Sequence, residues 1–104
     1  MTLKELKQIP HLRDEIELYR EQIRTLKSIE HDADVNHLQD LMNKRMRELK
    51  KLTDYIENIT DSGIRKIIKL KCEDGLSWIQ ISFKVKGYSA DNARMAIKRY
   101  LEKY

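Results

Sequence analysis

The chain has 104 residues, 40% hydrophobic and 37% charged, with three glycines, one proline and one cysteine. So few backbone breakers in so charged a chain exclude a many-stranded β fold and favour long, solvent-washed helices, in one domain or one small domain plus an extended helical element. The formal charge of +4 is unevenly placed: residues 1–60 carry 11 Lys+Arg against 12 Asp+Glu (net −1), and residues 61–104 carry 10 against 5 (net +5). The lone Cys72 permits no intramolecular disulfide, which suits a reducing compartment. Met1 to Pro10 contains no apolar run of the signal-peptide kind. No stretch approaches the roughly 18 apolar residues of a membrane span. The expectation is a soluble, intracellular, all-α protein.

In chain order, the first periodic segment is Ile9, Leu12, Ile16, Tyr19, Ile23, Leu26, with the 3,4 spacing of heptad a and d positions. Pro10 sits where the first turn of a helix tolerates it. This helix should span Pro10 to Ser28, about 28 Å at 1.5 Å per residue. A second, longer run follows at Val35, Leu38, Met42, Leu49, Leu52, Ile56 and Ile59, in one register broken only by Arg45. Between the two, "EHDADV" offers Asp32 and Asp34 as caps for the new helix. A narrow a/d seam cannot bury itself alone. The favoured arrangement is an antiparallel helical hairpin or coiled coil over residues 1–60, with dimerisation through what remains exposed. His31, Asp32, Asp34 and His37 are of metal-binding type, but only Asp34 and His37 have i, i+3 spacing, so a loop and helix cap is the expected role and no metal site is expected.

Residues 61–104 read as a second domain. "TDSGIRKIIKLKCEDG" offers Asp61 or Ser62 as N-cap, an apolar set at Ile64, Ile67, Ile68 and Cys72, and Gly75 as the stop. "SWIQISFKVKG" offers Ser77 as cap, apolar Trp78, Ile81 and Val85, and Gly87 as the stop. Trp78 is expected to anchor the core, and Cys72 to act as a small buried hydrophobe. Ser89 then caps a helix running to the last residue. Three short helices separated by glycine-containing turns form a tri-helical unit whose last two have helix-turn-helix proportions. Ser82 occupies the position where this motif usually places alanine, so its hydroxyl needs a partner.

On a wheel of the last segment, Ala93, Ala96, Ile97, Tyr100 and Tyr104 gather on one face, with Leu101 at its edge. Asp91, Met95, Lys98, Arg99 and Glu102 fall opposite, flanked by Asn92 and Arg94. The local +5 charge and the preceding turn point to double-stranded DNA as the partner. In that motif the first helix crosses the backbone and the second enters the groove. Ser77, Gln80, Lys84 and Lys86 are therefore assigned to phosphate. Asp91, Asn92, Arg94, Met95, Lys98 and Arg99 present the reading face, and the Ser89 cap turns the helix N-terminus toward a phosphate. A homodimer on a two-fold site, with half-sites about one helical turn apart, is expected.

The segment "IRKIIKLKCEDGLSWIQISFKVKGYSADNARMAIKRYL" resembles region 4 of sigma-70 factors, and more closely the small phage-encoded sigma-region-4-like regulators of Gram-positive bacteria. The resemblance covers about residues 56–104. It rests on Leu70, "GLSW" at Gly75–Trp78, Ile81, "GYS" at Gly87–Ser89, Arg94 and "KRYL" at Lys98–Leu101. It implies a phage or mobile-element transcription regulator in the cytoplasm of a bacterial host, with RNA polymerase as a further partner. The rival reading is a helical interaction module or inhibitor that binds RNA polymerase or a host defence complex. An enzyme is not expected: there is no glycine-rich phosphate loop, no nucleophile with an identifiable base, no recognisable carboxylate pair and no cofactor motif.

Overall fold

The computed structural model describes residues 1–29 and 32–104, and among them the chain is all helical. The elements are α1 (Leu3–Leu6), α2 (Ile9–Ser28), α3 (Asp32–Glu57), α4 (Ser62–Ile68) running on into a π-helical turn (Lys69–Glu73), α5 (Trp78–Lys84) and α6 (Ala90–Lys103). His31, one of the four residues of metal-binding type, lies outside the described residues, as does Glu30.

The chain divides into two compact units, His11–Lys51 and Met1–Pro10 with Leu52–Tyr104. This differs from a division at residue 60. The 44 residues from 61 onward are too few to bury a core of their own. Leu6 and Ile9 from the N-terminus, with Leu52, Ile56 and Ile59, join Ile64, Ile67, Ile68, Cys72, Ile81, Val85, Ala93 and Ile97 as the buried residues of that unit.

Within His11–Lys51, the heptad positions meet as their spacing requires. Ile16, Ile23, Val35 and Met42 form a buried cluster, with Tyr19, Leu26, Leu38 and Leu49 packed against it. Glu15 of α2 lies 3.0 Å from Arg45 of α3, whereas Leu26 shares a groove with Asp34 and Leu38. Later residues of α2 thus face earlier residues of α3, and the helices run antiparallel. Arg45, the break in the register, is accommodated by charge. Its Nε donates to Glu15 Oε1 and its Nη1 to both oxygens of Glu48, at 3.0 and 3.1 Å. These bonds, first that to Glu15, raise the guanidinium above its ordinary pKa.

In the other unit, α1 is an element the hydrophobic periodicity does not reveal. Thr2 caps it, accepting from the Glu5 N–H at 3.1 Å while its hydroxyl donates to the Glu5 carboxylate at 3.0 Å. Asp61 caps α4 by accepting from the Ile64 N–H at 3.1 Å. Lys69 pairs with Glu57, and Arg65 donates to the Ile59 carbonyl at 2.7 Å, satisfying backbone left open beyond α3. The π-helical turn ends with Leu76 N–H returning to the Leu70 carbonyl at 3.0 Å, across Gly75 at φ +69°.

Candidate nucleic-acid interface

α5 packs against α6, and α6 against α4, so the last two helices are held by their neighbours. Ser77 and Gln80 form a reciprocal capping box at the start of α5. The Ser77 N–H donates to Gln80 Oε1 at 2.9 Å, and the Gln80 N–H donates to Ser77 Oγ at 3.2 Å. Capping occupies oxygen acceptors, so the Ser77 hydroxyl and the Gln80 amide NH2 keep their donors for an anion. α5 then stops sooner than Gly87. Val85 is already extended (φ −117°, ψ 110°) and buried, and its N–H closes the last turn on the Ile81 carbonyl at 2.9 Å. A β-branched side chain directed into the core ends the helix here, and Gly87 at φ +87° turns the following loop. Lys84 and Lys86 bracket that turn and are exposed.

Ser89 caps α6, accepting from the Asn92 N–H at 3.1 Å. Ala93 and Ile97 are buried, which fixes the inward face. Asp91, Asn92, Lys98 and Arg99 are exposed. Arg94 is about half-exposed and stands 3.8 Å from Asp91 one turn back, a loose surface pair of the kind that holds a side chain weakly. Met95 departs from the wheel: it is half-buried, because a long unbranched side chain can fold onto its surroundings. It belongs with the packing more than with the open face.

Three features lie outside the pattern. Arg94 and Lys98 line a groove of about 330 Å3 together with Met1, Thr2, Leu3 and Leu101, so the N-terminal segment borders the reading face. The Thr2–Glu5 capping pattern is the signal in the sequence that points to this segment. Trp78 is half-buried, not enclosed, and carries the Lys71 Nζ 4.8 Å from its ring centroid. Burial, then repulsion from Lys7, lowers the Lys71 pKa. Ile79 and Phe83, one turn apart on α5 and facing away from buried Ile81, are open to solvent. Ser82, by contrast, satisfies its hydroxyl locally, donating to the Ile79 carbonyl at 2.6 Å. Compared with known proteins, the chain matches no family model, no curated protein and no solved structure.

Proposed function

We propose that this chain is a sequence-specific DNA-binding transcriptional regulator in which α6 enters the major groove and α5 crosses the phosphate backbone. The observation that carries the reading is the division of α6: Ala93 and Ile97 are buried, while Asn92, Lys98 and Arg99 stand exposed on a helix that follows a short capped helix and a basic turn. Arg94 and Arg99 have the fork that fits a guanine edge, and Asn92 has the amide that fits adenine. Lys98 donates to guanine or phosphate. Asp91 accepts from cytosine or repels wrong sites. Ser77, Gln80, Lys84, Lys86 and the capped α6 N-terminus hold phosphates and set the register. The resemblance of residues 56–104 to sigma region 4 supports a regulator encoded by a phage or mobile element, acting beside RNA polymerase.

Binding-site selection with wild-type protein and folded Arg94→Ala, Lys98→Ala and Arg99→Ala variants tests the reading. Arg94→Ala weakens the preferred site by about 1–3 kcal/mol and relaxes selectivity at one base pair. If all three variants keep the parental preference and affinity, α6 is an ordinary C-terminal helix and the proposal fails.

A further inference from the structure

We infer that Ile79 and Phe83 of α5 dock into the groove between α2 and α3 of a second copy of this chain. Phe83 is 85% exposed, the most open large apolar side chain among the described residues, and Ile79 is 64% exposed. Four residues apart on a helix, they form one continuous apolar ridge. Neither is needed to hold α5, whose inward side is supplied by Ile81. A paired apolar ridge maintained in water marks a contact surface more than two scattered residues would.

The His11–Lys51 unit holds a surface of the opposite character. Its α2–α3 groove is about 590 Å3, within the range of cavities that take sizeable apolar groups. Leu18, Leu26 and Leu38 line it, and Leu18 is itself 53% exposed. Among the described residues its charged lining is Glu21 and Asp34, with no lysine or arginine. The ridge, in contrast, is followed at once by Lys84 and Lys86, in the segment of net charge +5 (10 Lys+Arg against 5 Asp+Glu in residues 61–104). An apolar ridge beside lysines complements an apolar groove beside carboxylates. Ridge against ridge would instead bring the lysines of two copies together, which like-charge repulsion opposes. Every copy carries both surfaces, so two copies can exchange ridge for groove and close a two-fold dimer containing the contact twice.

This contact does not rest on the DNA reading. Lys84 lies about 100° round α5 from Phe83, leaving a different side for phosphate. The test therefore contains no DNA. Sedimentation equilibrium of the full chain, from micromolar to millimolar concentration, should show a dimer. The ridge variant Ile79→Ser/Phe83→Ser and the groove variant Leu18→Ser/Glu21→Lys should each weaken dimerisation by about 30-fold or more, the loss typical of removing an interface hot spot. Circular dichroism should find both folded; Glu21→Lys alone repeats the groove test at an exposed position should the double variant lose helicity. An equimolar mixture of ridge and groove variants should form a heterodimer more tightly than either variant self-associates, since one of the two contacts is then intact. A wild-type chain that stays monomeric overturns the inference. So does a variant that dimerises as the wild type does, or a mixture that gains nothing.

Discussion

The thiol of Cys72 shows how burial decides the chemistry of a single residue. It is 1% exposed, and the cost of placing a thiolate among apolar neighbours pushes its pKa up to about 11. The native chain should therefore resist alkylation by iodoacetamide at neutral pH and react fully in denaturant, which mass spectrometry reads directly. The same shift has a sign for stability. Below about 9, the ordinary value, folded and unfolded thiols are both protonated and the contribution is complete; between there and about 11 the unfolded chain releases its proton first, and stability falls. Urea titrations at increasing pH, compared between wild type and Cys72→Ala, isolate that loss. Arg45 illustrates the opposite solution: a charge on an apolar seam is kept by two carboxylates, Glu15 and Glu48, and stays charged.

At the scale of elements, short helices owe much to their ends. α4 and α5 have seven residues each, too few to persist in isolation, and both have capped N-termini and defined exits. Gly75 and Gly87 hold positive φ, and a Cβ at either would meet nothing within 4 Å. Substitution there tests backbone conformation without a clash. Gly87→Ala should cost about 1 kcal/mol, Gly87→Asn less, and Gly87→Val more, in chemical denaturation of the full chain. Equal costs for Asn and Val would show that the loop relaxes out of the left-handed region. Since this loop joins α5 to α6, the same variants should also weaken DNA binding if the proposed interface depends on that angle.

For the whole molecule, the decisive fact is that a core is assembled from both ends of the chain. Leu6 has no exposed surface although it lies far in sequence from α4 to α6. Leu6→Ala should destabilise the protein by about 2–5 kcal/mol, the range for a large-to-small change in a packed core. A change near zero would mean that α1 is dispensable to the unit. Charge acts at the same scale. Lys84→Ala with Lys86→Ala should weaken binding to all DNA sequences alike and flatten the dependence of log affinity on log salt by roughly two units, one for each phosphate that no longer meets a lysine. An unchanged slope would remove both lysines from the interface. Sequence preference should be unaltered, which separates these residues from Arg94.

Much of this was legible without coordinates. Heptad spacing marked the two long helices and their buried faces, because a 3,4 repeat has one way to bury itself against a partner. Asp61, Ser77 and Ser89 marked three helix starts, since a side-chain acceptor is what an open N–H at a helix N-terminus requires. Gly75 and Gly87 marked the turns, because positive φ excludes most other residues. The exposed set Asn92, Lys98 and Arg99 followed from the wheel of α6. Tertiary packing decided the rest. It assigned residues 1–10 to the C-terminal unit, because a pattern within a helix says which side is apolar and not which distant segment covers it. It ended α5 at Lys84, where burial of Val85 outweighed the continuation that the spacing allowed. It left Trp78 half-buried beneath Lys71 and folded Met95 inward, although local pattern favoured a core anchor and an open face. And it left Ile79 and Phe83 in water, because composition marks them as apolar while only the packing of α5 through Ile81 determines that nothing in their own unit covers them.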